Sequence, residues 1–351
     1  MTRLTAYLFF LALVLPFTSI AQDHIAIGLL LPDHTNTLAI KAAEFAIKEA
    51  NASGGYKGKE FKLVIRTAEG FWGAGSKESV SLVYEDQVRA IVGALDGRNG
   101  HLAEQVVTKS HLCYIETYAT EPTLSQAFVP WFMRVVPNDN QQSTTIINQI
   151  QKEGEGSIAI LSTQNYDTRY AVKSLTREVA RVTNSSPLVI ELDNADFTQE
   201  KLIEKILGND LGHLVIPFDA PFLRDLIISI RERLPALHIY GTLHFTMGVE
   251  KRNHAWKDYE GVFMIGPHYD IHKYPTLPDS PSVYMYDAIS LVVHAIRQVG
   301  TDRVAITNYI SESEYSTAVT GSISFDELGN RKGASTLTRI QNGKPELIKQ
   351  P

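Results

Sequence analysis

The 351-residue sequence holds one cysteine, Cys113. A lone thiol cannot close an internal disulfide, so the chain must draw its stability from a packed core. Cys113 stands in the apolar run Leu112-Cys113-Tyr114-Ile115, which points to a buried thiol and not a reactive one. Basic runs are missing too. Lys and Arg number 33 against 39 Asp and Glu, a net charge of −6 that argues against nucleic acid as a partner. The marks of common hydrolases and nucleotide-using enzymes are absent: no Gly-x-Ser-x-Gly elbow, no His-Glu-x-x-His, no Gly-x-x-x-x-Gly-Lys-Ser/Thr. Gly70, Gly73 and Gly75 miss the dinucleotide spacing and read as a loop, and no cofactor is implied.

What is present begins at the N-terminus. Arg3 precedes an almost wholly apolar stretch over residues 4–20, broken by Pro16, and Ser19-Ile20-Ala21 offers small residues where a signal peptidase reads. The run is short for a bilayer span of about 20 residues, so a cleavable signal peptide over residues 1–21 is the expectation, cut before Gln22. Removing these 21 residues from 351 leaves 330 and takes Arg3 away, moving the charge from −6 to −7. A chain of that size forms about two domains. The protein is then expected in the periplasm.

Along the rest, short apolar runs alternate with helical periodicity. Residues 25–31 read as a strand, and Ala39, Ala42, Ala43, Ala46, Ile47 and Ala50 then recur at helical spacing. Strands are predicted at 61–65, 90–93 and 112–115, with helices at 76–84 and 102–110. After Arg134-Val-Val-Pro-Asn138 the pattern restarts, with strands at 157–161, 188–192, 214–217, 239–240 and 261–265 and helices at 144–152, 170–182, 201–207 and 222–234. A long amphipathic helix carries Ala288, Ile289, Val292, Ala295, Ile296 and Val299 on one face. The tail reads as strands at 322–325 and 335–340, with turns at Gly329-Asn330 and Asn342-Gly343. Strict alternation predicts an α/β fold of two doubly wound lobes with parallel sheets covered on both faces. No Pro/Gly-rich tether separates the halves, so the lobes should touch.

One cluster invites metal chemistry: His268, Asp270 and His272, with the histidines at i and i+4. Pro267 and Pro275 flank a segment too short to make that spacing helical, and a polar loop near a cleft fits better. A secreted metal-dependent hydrolase built on these three is the rival reading.

Several stretches taken together resemble the leucine/isoleucine/valine-binding family of type I periplasmic binding proteins. They are Glu49-Ala-Asn-Ala-Ser-Gly-Gly-Tyr-Lys-Gly58, Ile91-Val-Gly93, Tyr118-Ala-Thr-Glu-Pro122, Arg134-Val-Val-Pro137, Tyr286-Asp-Ala-Ile289 and the segment 321–333. The resemblance implies two Rossmann-like lobes joined by three crossovers: residues 22–136 with 266–322 in one, 137–265 with 323–351 in the other. It implies an exported solute-binding protein, not an enzyme, that captures an amino acid or related carboxylate for an ABC importer. A sensor acting with a membrane receptor is the alternative within this class. The partners are then a small-molecule ligand and an ABC permease, with the chain itself a monomer. The first binding loop would be 94–101, with Asp96, Gly97 and Arg98, and its helix would begin near Leu102. The second would be Tyr118, Ala119 and Thr120, with Thr120 matching the threonine that holds the ligand carboxylate. Tyr166 and Asp219 would come from the other lobe. Two departures matter: Gly97 stands where amino-acid binders place a serine, and Leu243 where they place an acid for the ligand ammonium. A buried ammonium without a counter-charge is costly, so Asp219 or Asp96 would have to serve. Arg98, Tyr118, Trp72 and His244 hint at a carboxylated or aromatic ligand.

Overall fold

A computed structural model describes residues 24–70, 73–192, 198–333 and 335–348. The expected signal peptide and Trp72 lie outside the described residues. β1 (His24–Leu31) is a near-continuous buried apolar run, as a strand covered on both faces requires. It leads to α1 (Thr37–Ala52), β2 (Glu60–Thr67), α2 (Ala74–Val80), β3 (Ala90–Gly93), α3 (Gly97–Ser110), β4 (Cys113–Glu116), α4 (Thr123–Gln126) and β5 (Phe132–Arg134). Next come α5 (Asp139–Glu153), β6 (Ser157–Ser162), α6 (Tyr166–Thr183), β7 (Leu188–Glu191), α7 (Gln199–Leu207), β8 (Leu211–Ile216), α8 (Leu223–Arg233), β9 (His238–Gly241), α9 (Leu243–Lys251) and β10 (Phe263–Ile265). The chain ends through α10 (Ser280–Val299), α11 (Arg303–Glu312), β11 (Leu337–Gln341) and β12 (Lys344–Leu347).

Among the described residues these strands form two sheets. One runs β2-β1-β3-β4-β5, parallel throughout, and the other runs β12-β11-β10-β9-β8-β6-β7. The second is parallel from β10 to β7 and closes with an antiparallel hairpin. Two doubly wound α/β lobes are thus present, as the alternation predicts. The alanine face of α1 lies against α10, so the long C-terminal helix belongs to the first lobe. The chain crosses between lobes three times, near 135–138, 266–279 and 332–336. Arg331, just before the third crossing, reaches back to the first. Its guanidinium donates to the carbonyls of Thr320 (2.9 Å) and Gly321 (2.8 Å), and to that of Val135 at 3.4 Å.

The tail differs from expectation. Residues 322–325 make only isolated bridges, Tyr315 with Ile323 and Phe325 with Arg331. Asn330 bridges Arg134, so this loop lies along the edge strand β5 of the first sheet, and the chain joins the second sheet only at Leu337. The expected boundary at 323 therefore cuts through a loop that still packs on the first lobe. The Asn342-Gly343 turn is as read: both residues have positive φ, 53° and 68°, which this dipeptide tolerates. Cys113 is buried beside Met133, and desolvation pushes its thiol up to about 12. No helix among the described residues is long and apolar enough to cross a membrane.

Candidate functional site

Open parallel sheets bind ligands beyond the carboxyl ends of their strands. Here the ends of both sheets face each other across a cleft that holds two adjoining cavities of about 500 and 480 Å³. Asp96, Tyr118, Asp219 and His244 line both.

The first-lobe wall starts at α3. Asp96 is its N-cap: Oδ1 accepts from the Asn99 N–H at 2.7 Å and from Asn99 Nδ2 at 3.0 Å. The helix therefore begins at Gly97, five residues before the predicted start, and Gly97 and Arg98 sit in its first turn and not in a loop. Glycines at 97 and 100 hide the helix in the sequence because they lower propensity. Packing demands them. A Cβ on Gly97 would lie 2.5 Å from Glu121 Cγ, and one on Gly100 would lie 3.1 Å from Leu124. Glu121 thus fills the space that a serine at 97 would need.

Behind this wall lies a buried ionic frame. Glu116 ends β4 fully buried, and its Oε1 accepts from the N–H groups of Thr117 (2.9 Å), Tyr118 (2.8 Å) and Ala119 (3.2 Å), while the Tyr114 hydroxyl donates to Oε2. Desolvation outweighs these bonds and raises its carboxyl to about 7. Arg134, also fully buried, donates to the carbonyls of Ala119 (3.0 Å) and Glu121 (2.8 Å) and to Ser125. His101 contacts Glu104 at 3.0 Å and Glu121 at 2.8 Å, and these two carboxylates push its imidazole up to about 10. The loop 117–121 is thereby fixed at both ends.

The second-lobe wall is built from α6, α9 and the loop after β8. Asn165 caps α6, accepting from the N–H of Asp167 at 2.9 Å. α6 begins at Tyr166, four residues before the predicted start, so Tyr166 and Asp167 open the helix. α9 had no counterpart in the predicted elements. It is buried almost all round, so it lacks the amphipathic period that reveals a helix. It places His244 in its first turn, and the Gln142 amide oxygen accepts its Leu243 N–H at 2.8 Å. Asp219 lies across α9 over Gly248 and pairs with Arg252 (2.9 Å for Nη2 to Oδ2).

Three contacts already join the walls. The Gly97 N–H donates to Asp167 Oδ1 at 3.0 Å. His244 Nε2 lies 3.1 Å from the Tyr118 carbonyl, which can only accept, so Nε2 carries the proton; the two rings stack at 4.6 Å. Arg98 lies over the Tyr166 ring at 5.1 Å.

Of the eight residues expected from sequence, Asp96, Tyr118 and Asp219 line the cavities, and Gly97, Arg98 and Tyr166 make the cross-cleft contacts. Ala119 and Thr120 are placed differently: both are buried, and the Thr120 side chain bonds to Asp139 behind the wall. Asp167 and His244 are the residues that the sequence reading underweighted. The Asn165-Tyr-Asp-Thr168 capping signal could have found the first. At the other candidate, Asp270 Oδ1 accepts from the His272 N–H at 3.0 Å and closes a turn. Among the described residues no group of three His, Cys, Asp or Glu is placed to hold a metal.

The fold and cleft can now be set beside known proteins. A family model described as periplasmic binding protein matches residues 25–206. The chain belongs to the periplasmic binding protein family. Solved structures share the fold of this periplasmic binding protein at low identity. The branched-chain amino acid transporter substrate-binding protein LivJ from Streptococcus pneumoniae, in complex with isoleucine, is 19% identical, with a TM-score of 0.75 over 93% of this chain and 100% of that one. A solute-binding protein of an ABC transporter from Rhodopseudomonas palustris, in complex with 3,4-dihydroxybenzoic acid, is 16% identical, with a TM-score of 0.76 over 93% and 96%. Glutamate receptor 3.7 of Arabidopsis thaliana is 24% identical over 292 residues, covering 77% of this chain and 31% of that protein. Glutamate receptor 3.1 of rice (Oryza sativa subsp. japonica) is 26% identical over 107 residues, 30% and 11%. The chain spans about a third or less of the length of these curated relatives.

Proposed function

We propose that this protein is the exported solute-binding component of an ABC importer, closing its lobes on a small polar organic ligand without altering it. The observation that carries the reading is the cleft. Strand ends of both sheets meet at cavities sharing Asp96, Tyr118, Asp219 and His244, and the chain joins the lobes that form the two walls through three crossings. A ligand touching both walls stabilises the closed arrangement by its contacts to each side, and hinge bending at the crossings supplies the motion. The ligands of two structural neighbours, isoleucine and 3,4-dihydroxybenzoic acid, are small polar organic molecules of the class proposed. The stretch shared with plant glutamate receptors favours a ligand sensor as second reading.

A thermal-shift screen of amino acids, aromatic acids and small amines on the purified protein tests solute capture, with a rise in Tm of several degrees expected for the true ligand. A permease or ATPase gene beside this one supports uptake, and a histidine kinase gene supports sensing. Export is tested by sequencing the N-terminus of the secreted form, which should start at Gln22.

A further inference from the structure

The N-terminus of α3 already holds a carboxylate of the protein's own. A helix start offers unpaired N–H groups and a positive dipole end, a natural seat for an anion. Here the Asn99 N–H is taken by Asp96, and the Gly97 N–H donates to Asp167 from the opposite lobe. Asp167 is 7% exposed, so this seat is occupied and covered. Below it lies Glu121, fully buried, with Oε1 2.8 Å from His101 Nε2. A ligand carboxylate brought to this point would meet Asp167 above and Glu121 below.

The remaining lining has the same sign. Among the described residues the two cavities expose Asp33, Asp96, Asp167, Asp219 and Asp279 against the Lys251 ammonium and the His244 imidazole, with Arg252 already paired to Asp219. Behind the wall, Asp139, 2% exposed, adds to the negative field within electrostatic reach of His244 and Asp167, with an Oδ2 that accepts no hydrogen bond. Asp96, which caps α3 through Oδ1, and Asp219, which shares its charge with Arg252, border both cavities together with the Tyr118 ring, an arrangement that suits an organic cation through charge and through the ring face.

Building on the solute-binding reading above, we propose that Asp167 is the cleft's built-in anion on the α3 N-terminus. The ligand is therefore recognised through a cationic nitrogen held by Asp96 and Asp219 beside Tyr118, and not through a carboxylate at Gly97. The missing acid at Leu243 is then replaced by carboxylates from elsewhere in the cleft, and Asp167 becomes a specificity-determining residue.

The test uses the whole secreted protein labelled with ¹⁵N-glycine, titrated with benzylamine and with benzoate, a pair matched in ring and opposite in charge. In the wild type, benzylamine should bind at least about tenfold tighter than benzoate, and the Gly97 amide resonance should stay still under benzoate. Asp167→Ala should let benzoate move that resonance and should gain at least about tenfold in benzoate affinity. Asp167→Asn, close in shape but uncharged, should narrow the preference in the same direction and serves if the alanine variant folds poorly. A wild-type Gly97 amide that responds to benzoate overturns the inference. So do variants whose preference is unchanged, or a wild type that prefers benzoate. Native protein that releases a carboxylate without an amine on denaturation also overturns it, yet leaves solute capture standing. Protein that retains no solute and responds to none loses both.

Discussion

The two walls of the cleft are built by opposite means. The first-lobe wall is a short loop clamped by buried charges, with Glu116 holding three successive N–H groups and Arg134 holding the carbonyls of Ala119 and Glu121. The second-lobe wall rests on helix starts and on a partly exposed ion pair, Asp219 with Arg252, lying on the surface of α9. Buried ionic frames are rigid because every partner is needed, whereas exposed pairs are weakly coupled to stability. The difference teaches which wall is preformed. The first lobe offers a fixed platform, and the second carries the groups that can adjust as the lobes close.

The sharpest way to break this comparison is Arg134→Leu. Removing the guanidinium leaves the buried carbonyls of Ala119 and Glu121 without their donor and takes a buried cation from beside Asp139 and Glu116. Loss of one partner from such a frame costs about 3–5 kcal/mol, so we expect a large fall in the denaturant midpoint or an unfolded chain. Gly97→Ala comes next. Its Cβ drives into Glu121, and overpacking of this kind costs about 1–3 kcal/mol, read in the same urea titration.

The buried carboxyls also set a pH dependence. Burial raises Glu116 from 4.5 to about 7 and Asp139 from 3.8 to about 6, so between those limits the folded chain holds protons that the unfolded chain has released. Stability should therefore be highest on the acid side of that window and fall as pH rises through it, by at most about 1.4 kcal/mol per pH unit for each carboxyl. Glu116→Gln should flatten the slope in thermal melts from pH 5 to 7; an unchanged slope would show that this carboxyl is not the source. The smallest effects belong to the second wall. His244→Ala loses the stack on Tyr118 and should weaken lobe closure by about 0.5–1.5 kcal/mol, read from small-angle scattering of the ligand-free protein. Arg252→Ala should shift stability by about 1 kcal/mol or less, since its pair with Asp219 is partly solvated.

Much of the architecture was legible in the residues. The strand at 90–93 matches its expected bounds, the alanine face of α1 packs as its spacing implies, and the Asn342-Gly343 hairpin turn is present. Errors gathered at the cleft, where local signals conflict with packing. The glycines of α3 weaken a helix that Asp96 caps, and α9 has no polar face to mark it. The tail strand at 322–325 shows the alternation of a strand, yet finds only single bridges to Tyr315 and Arg331, because its neighbours are loop residues and not a strand of either sheet.

By itself the sequence determined the two α/β lobes, since parallel strands and amphipathic helices announce themselves through local periodicity. The family resemblance added Asp96, Tyr118 and Asp219 as residues of the binding loops. Only the tertiary structure decided that Asp167 reaches Gly97 from 70 positions away in the chain, that Glu121 lies beneath that glycine, and that Thr120 turns from the cleft to Asp139. Such pairings depend on how two separately folded sheets are set against each other. No periodicity within either half records that geometry.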